Sequence, residues 1–299
     1  MPEADVCVLI PTLNEAETIG AVVDGFVEQG YSDVHVIDGG SSDGTPELAA
    51  EHGATVEHQS GTGKGRAVRE ALQHVDAEYV LLIDGDGTYD PEDAPKLLEP
   101  LRAGRAEHVV GNRFADMRDG SMTRLNRLGN RIINRAFRYI HGLDLKDILS
   151  GYRAFTLDSV EKFHLTSTGF GIETEFAVSC AKQDVSTEVV PVTYHPRPDN
   201  SETNLHPLRD GAVIVVTLYR LAKTNNPLFY FGSLGLVSLL FGGGLGTYVG
   251  VEWVRYNTSH EVLAIVAGVA LLFGVQLIMF GVLSDMILAL HREQLRRLE

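Results

Sequence analysis

An α/β domain built on a mostly parallel sheet, followed by a two-helix membrane hairpin, is the architecture this 299-residue sequence predicts. Three observations predict it. Five short apolar runs alternate with helical patterns between Val6 and Val110, turn-forming and acidic residues follow those runs, and two long charge-free stretches lie near the C-terminus. Taken in order, Val6–Ile10 is apolar throughout and strand-length, and Ala16–Gln29 carries Ile19, Val22, Val23 and Phe26 at helical spacing. Val34–Ile37 and Ala54–Glu57 read as the next strands, with a helix over Thr45–His52 between them. Gly65–Val75 reads as a helix, Tyr79–Ile83 as a strand, Pro91–Ala103 as a helix opened by its proline, and His108–Val110 as a strand. Alternation at this spacing requires right-handed crossovers and a sheet covered on both faces. Such sheets bind ligands beyond the carboxyl ends of their strands, so the residues after each run are the candidates for chemistry.

The hairpin follows from length. Leu228–Val251 and Val262–Ser284 are 24 and 23 residues without a charge, each about 35 Å as helix at roughly 1.5 Å per residue. Residues 1–225 form the first domain and 226–299 the anchor. Arg209, Arg220 and Lys223 precede the spans and Arg292, Arg296 and Arg297 follow them, whereas the connecting Glu252–Glu261 has only Arg255. The positive-inside rule then places the large domain and the C-terminus in the cytoplasm, on one side of the cell membrane. Gly242, Gly246 and Gly250 recur every four residues, a pattern for close packing within the hairpin or between subunits of a homo-oligomer. Met1–Asp5 is short and acidic, so no signal peptide is expected at the start.

Composition narrows the function classes. With 44% hydrophobic and 22% charged residues the chain can bury a core. Twenty-five basic against 40 acidic residues leave a net charge of −15, which gives nucleic-acid binding no electrostatic footing. Only six of the 25 basic residues are Lys, and this acidic, Arg-rich balance resembles proteins of salt-loving archaea. Cys7 and Cys180 have no partner motif and read as reduced, buried thiols.

After the first strand comes Pro11-Thr12-Leu13-Asn14-Glu15, and after the second Asp38-Gly39-Gly40-Ser41-Ser42-Asp43-Gly44-Thr45. Glycine turns let backbone N–H groups approach a phosphate or sugar, and Asp38 can accept hydrogen bonds from a base or ribose; ordinary turns and helix caps would use the same residues. Gly61-Thr62-Gly63-Lys64-Gly65 lacks the full P-loop pattern. The fourth strand runs into Asp84-Gly85-Asp86-Gly87-Thr88-Tyr89-Asp90. Carboxylates crowded at one strand end repel unless a cation is present, and hard oxygen ligands with no His or Cys nearby favour Mg²⁺ or Mn²⁺. An EF-hand is excluded because the position that needs a bidentate glutamate is Pro95. Ser121–Leu143 carries Arg124, Arg127, Arg131, Arg135 and Arg138 on one helical stripe, with Leu125, Leu128, Ile132, Ala136 and Ile140 as its apolar face. This is the pattern of a basic helix lying on an anionic membrane surface.

The ordered set PTLNE, DGGSSDGT, GTGKG, DGDGTYDPED, GNRF and SGYRAF resembles the inverting, GT-A-fold glycosyltransferases of family 2 over about 210 residues. The similarity is greatest to the polyprenyl-phosphate hexosyltransferases, the dolichyl-phosphate glucose and mannose synthases, including the haloarchaeal glucosyltransferases of protein N-glycosylation. The resemblance implies that Asp84 and Asp86 hold Mg²⁺ or Mn²⁺ on a nucleotide diphosphate. It implies that Pro11, Asn14, Glu15, Asp38, Lys64, Asp84 and Gly85 line the nucleotide-sugar pocket, and that Arg113 reaches toward phosphates. Arg124, Arg127 and Arg197 match positions that grip the acceptor lipid phosphate, the last within an acceptor loop running from Pro196 to Gly211. Two departures stand out: Gly39 where relatives show a second aspartate, and Thr203-Asn204 where many carry Ser-Lys. Glu173 and Glu175 either touch the sugar, orient Arg153, or serve as an acidic helix N-terminus.

The resulting expectation is an inverting enzyme that moves a hexose, glucose from UDP-glucose first and mannose from GDP-mannose second, to dolichyl or another polyprenyl phosphate. A processive polysaccharide synthase would carry a Gln-x-x-Arg-Trp motif and more spans, and here the sole tryptophan is Trp253. A non-enzymatic sugar-nucleotide sensor is disfavoured by the intact DGDG and arginine series.

Overall fold

The computed structural model describes residues 5–169, 171–197, 219 and 226–296, with side chains as far as residue 290. The chain divides into two compact units, Met1–Leu218 and Tyr219–Glu299; the boundary expected near Asn225 lies outside the described residues.

The first unit is a seven-stranded sheet. Its strands are β1 (Val6–Thr12), β2 (Asp33–Asp38), β3 (Thr55–His58), β4 (Tyr79–Leu82), β5 (His108–Met117), β6 (Arg153–Thr156) and β7 (Thr187–Tyr194), in spatial order β3-β2-β1-β4-β6-β5-β7. All pairings are parallel except those of β6, which runs antiparallel between β4 and β5. The sheet is therefore mostly parallel, as the alternation predicts. The chain leaves β1 toward β2 and β3, then returns to place β4 on the other flank of β1. That reversal opens a crevice at the carboxyl ends of β1, β2 and β4.

Helices α1 (Ile19–Val27), α2 (Thr45–Glu51), α3 (Lys64–Ala71) and α4 (Ala94–Arg102) follow the first four strands in turn. Residues on alternating strand positions feed two cores. Val6, Val8 and Ile10 pack with Ile19, Val22, Val23, Phe26, Leu97 and Leu98 on one face. Leu9, Ile37, Val80 and Leu82 pack with Ala67, Val68, Ala71, Phe155 and Phe176 on the other. Each buried Val, Leu, Ile or Phe among them contributes roughly 1.5–3 kcal/mol, which is why the crevice rests on a rigid floor. Cys7 and Cys180 are free and buried, as expected. Helix α1 begins three residues later than its apolar spacing suggests, because Glu15 O accepts from the N–H groups of Thr18 and Ile19 in a turn that precedes it.

Helix α5 (Arg124–His141) is capped by Thr123, whose hydroxyl accepts from Asn126 N–H, and ends on Gly142 at φ 75°. It carries apolar residues on two sides. Ile133, Phe137 and Ile140 turn inward, while Leu125, Leu128 and Ile132 are 69%, 51% and 59% exposed. Of the expected apolar face Ile140 is buried and Ala136 half-buried, and the other three share the outer surface with the arginines. The short helix α6 (Leu157–Glu161) and helix α7 (Ile172–Lys182) complete this unit.

The second unit is a pair of helices, α8 (Pro227–Tyr256) and α9 (Glu261–Arg296). Both are long and apolar enough to cross a membrane, and only 11% of each apolar window is buried. Gly235 and Gly274 pack across the pair: a Cβ on Gly235 would stand 2.7 Å from Gly274 O, and one on Gly274 2.8 Å from Gly235 O. Gly242 packs as its spacing suggests, with Ala267 O at 2.9 Å from such a Cβ, whereas a Cβ at Gly250 would meet open space. Ser238 hydroxyl donates to Ala270 O at 2.7 Å.

Candidate active site

The loops after β1 and β2 are stitched together by their own turn residues. Asn14 takes the left-handed conformation at φ 55°; its N–H donates to Ser41 Oγ at 2.8 Å and its Oδ1 accepts from Ser42 N–H at 2.9 Å. Glu15 N–H donates to Thr45 Oγ1, and Ala16 N–H to Asp43 Oδ2. Pro11 lies buried in β1, whose end Thr12 takes Gly39 N–H on its carbonyl. Asp38 is buried, and its Oδ2 accepts from Gly40 and Ser41 N–H. Its Oδ1 is buried with no hydrogen-bond partner among the described residues, an acceptor left for something else. Gly39 explains one sequence departure: a Cβ there would stand 3.1 Å from Thr12 O and 3.2 Å from Gln59 Nε2, so an aspartate would need its neighbours to give way.

Strand β4 ends at Leu82, so Asp84 and Asp86 sit in a loop and meet different cations. Asp84 pairs with Lys64, and Lys64 also pairs with Glu173 at the start of α7. Burial works against the Lys64 charge, but the Asp84 and Glu173 carboxylates outweigh it and hold the ammonium protonated. Burial raises the Asp84 pKa, Lys64 opposes that, and the Asp86 and Glu173 charges add to it. Lys64 therefore serves as an internal counter-ion for two acids, a role its motif did not reveal. The glycines around it have a packing reason: Gly63 abuts Thr168 O, and a Cβ on Gly65 would stand 2.6 Å from Ser167 O.

Asp86 is buried, with Oδ1 fixed by Thr88 N–H at 3.1 Å and Thr88 Oγ1 at 2.6 Å. Its Oδ2 receives the guanidinium of Arg197, which also stands 3.8 Å from Glu15 Oε1. Burial pushes Glu15 up to about 7, Arg197 resists, and Asp86 and Asp84 reinforce the rise. Gly85 cannot carry a side chain, because its Cβ would lie 2.7 Å from Thr12 Cγ2, and its carbonyl accepts from Thr18 Oγ1 at 2.7 Å. Tyr89 ties this loop to the SGYRAF segment, accepting from Gly151 N–H at 2.8 Å. Gly151 in turn lies directly against the Asp84 carboxylate.

The expected phosphate-facing residue Arg113 is otherwise engaged. Its Nε and Nη2 bind Asp147 at 2.7 and 2.8 Å, and its guanidinium lies over the Tyr194 ring. Asp147 is wholly buried, and the pairing holds Arg113 charged against its burial. Nothing in the sequence around Asp147 distinguishes it from other acids. Glu175 accepts from Thr166 and Ser167 N–H, so it braces a loop, and Arg153 donates to Ser150 and Ile148 carbonyls rather than to either glutamate. Arg124 and Arg127 lie on the exposed face of α5. The acceptor-loop residues from Pro198 to Gly211 fall outside the described residues.

The arrangement gathers Glu15, Asp84, Asp86 and Glu173 around two cations at the mouth of the crevice. A carboxylate set that already draws Lys64 and Arg197 to it fits a hard divalent ion, with oxygen donors only. The Cys7, Asp33 and His35 cluster, at the start of β1 and β2, is elsewhere in the sheet.

Comparison with known proteins agrees with this geometry. The chain is 62% identical to "Glycosyltransferase AglJ" of Haloferax volcanii, over 100% of this chain and 99% of the relative. It is 32% identical to the "Dolichyl-phosphate hexose transferase" of the same organism, over 70% of this chain and 90% of the relative. Glucosyl-3-phosphoglycerate synthase from Mycobacterium tuberculosis, solved with Mn²⁺, UDP-glucose and phosphoglyceric acid, superposes with a TM-score of 0.59 at 24% identity, covering 73% of this chain and 80% of that one. A model of the family described as "Glycosyl transferase family 2" matches residues 7–163, more than half the chain. Motifs, crevice and relatives converge, and the chain belongs to glycosyl transferase family 2.

Proposed function

We propose that this glycosyltransferase transfers a hexose, glucose from UDP-glucose, to dolichyl phosphate or a related polyprenyl phosphate, with inversion at the anomeric carbon. The observation that carries the reading is the carboxylate cluster at the crevice mouth with Arg197 drawn onto Asp86. It is a site built to handle phosphate charge through cations. The relative named for dolichyl-phosphate hexose transfer covers most of this chain and supports the acceptor class.

The donor's base and ribose fit the orphaned Asp38 Oδ1 and the stitched Pro11–Glu15 loop. Asp86, and Asp84 beside it, would hold Mg²⁺ or Mn²⁺, which neutralises the departing nucleoside diphosphate when bound. The acceptor phosphate is already ionised at neutral pH, so its oxygen attacks the anomeric carbon as the bond to the diphosphate breaks. No general base is needed to deprotonate it. The protein's own work is then positioning and charge. Arg124 and Arg127 on α5 and Arg197 after β7 offset the repulsion between two phosphorylated substrates. The outer face of α5, with Leu125, Leu128 and Ile132 among arginines, has the composition of a helix seated in a lipid interface. Helices α8 and α9 anchor the chain in the cell membrane, with the catalytic unit on the cytoplasmic side by the positive-inside rule.

The donor is tested by incubating the purified protein with dolichyl phosphate, Mn²⁺ and a panel of labelled nucleotide hexoses, then extracting the lipid. UDP-glucose is expected to label the lipid fraction; labelling from GDP-mannose alone would overturn the choice of donor.

A further inference from the structure

We propose that Arg197 is a displaceable internal counter-ion, competing with the divalent cation for Asp86 Oδ2, so that metal loading and release of the guanidinium are one event. This rests on the hexosyl-transfer reading of the same site and adds a control to it.

Four carboxylates (Glu15, Asp84, Asp86 and Glu173) face two cations, Lys64 and Arg197. Fully ionised, they exceed the two cations by two charges and Lys64 alone by three, so a divalent ion that takes the place of Arg197 lowers the unmatched charge to one. The two internal cations are held very differently. Lys64 is clasped between two acids in the first turn of α3, and its removal would leave both of them unpaired. Arg197 pairs with Asp86, stands 3.8 Å from Glu15, and its side chain is 26% exposed against 11% for Lys64. It stands beyond Tyr194, the last residue of β7, and beyond His195, whose N–H donates to Thr88 O. Lys64 is therefore the more enclosed cation and Arg197 the one nearer solvent.

Asp86 gives the competition its geometry. Thr88 N–H and Oγ1 both occupy Oδ1, which fixes the carboxylate plane and leaves Oδ2 as the oxygen offered to a cation. Arg197 sits on that oxygen. A metal ion taking Oδ2 must displace the guanidinium, and a displaced guanidinium in an acidic site is available to an incoming phosphate. Before metal arrives, the same contact spares Asp86 the cost of an unpaired buried charge. A purely structural arginine would behave oppositely: its loss would disorder the site and weaken metal binding.

The test is a Mn²⁺ titration of the full-length protein in detergent, without nucleotide or acceptor, reading free Mn²⁺ by electron paramagnetic resonance. Arg197→Ala is expected to bind Mn²⁺ about tenfold more tightly than the wild type, a change of ~1.4 kcal/mol. Arg197→Lys is expected to stay near the wild-type value, and Asp86→Asn to lose the site while keeping its circular dichroism spectrum. Unchanged or weaker Mn²⁺ binding by Arg197→Ala overturns the proposal, as does full Mn²⁺ binding by Asp86→Asn. A parallel glycolipid assay separates this proposal from the function it rests on. Tightening without any lipid product sinks the transfer reading and leaves the competition standing. Lipid product from the wild type without tightening in Arg197→Ala does the reverse.

Discussion

Asp86 is the residue on which the site turns, because its two oxygens are divided between a fixed pair of Thr88 donors and a cation. Asp86→Ala is expected to lower transfer at least about a hundredfold, equivalent to ~2.7 kcal/mol of transition-state stabilisation, with the fold intact by circular dichroism. Turnover near the wild-type rate would refute the metal assignment. Glu15 makes a separate prediction. Its pKa of about 7, against an ordinary 4.5, means the folded protein holds this proton more tightly than the unfolded chain. The stabilisation is complete below pH 4.5 and lost as pH rises through 7. Glu15→Gln, which stays neutral throughout, should gain on the wild type by ~1 kcal/mol between pH 5 and pH 8 after solvent screening; thermal melts showing the same difference at both pH values would contradict this. The aspartates were legible in sequence because D-G-D-G after an apolar run is a rare local pattern. The partners of Lys64 and Arg113 were not, since Glu173 and Asp147 lie 109 and 34 residues away and meet them only through the sheet.

Among the elements, periodicity located α1 to α5 and β1 to β5, and all of these but the edge strand β3 have buried residues of their own. It failed for β6, four residues whose motif reads as chemistry, and for β7, where Pro191 interrupts the run. It did not identify the side of α5 that meets the core, because a helix with apolar residues on two sides does not declare which one packs inward. Here tertiary packing selects Ile133 and Phe137 and leaves Leu125, Leu128 and Ile132 outside. An interfacial role predicts that a dye on Leu128→Cys in proteoliposomes is quenched severalfold by lipid-borne quenchers, whereas one on the exposed Glu51→Cys is not. The buried Cys7 and Cys180 leave the label specific. Equal quenching at both sites would count against lipid contact by α5. In the hairpin, the i, i+4 glycine rule found Gly242 but not the Gly235–Gly274 contact, which depends on how α8 and α9 are paired rather than on spacing within one helix.

For the whole molecule, a family 2 catalytic unit and a pair of apolar helices share one chain, and each half of that description was readable from a different sequence signal. Ordered motifs marked the first and uninterrupted hydropathy the second. The net charge of −15 would repel two phosphorylated substrates, so the acidic chain must concentrate its cations where phosphate is handled. The exposed arginines of α5 supply a local excess of positive charge. In the proposed reaction a polyprenyl phosphate takes the hexose directly from the nucleotide. Its most direct measurement is nuclear magnetic resonance of the lipid formed by the purified protein from dolichyl phosphate and an α-linked nucleotide hexose, with Mn²⁺ present and then chelated. A β-linked dolichyl phosphate hexose that forms only with the metal is expected. No glycolipid under any donor, or an α-linked product, would contradict it.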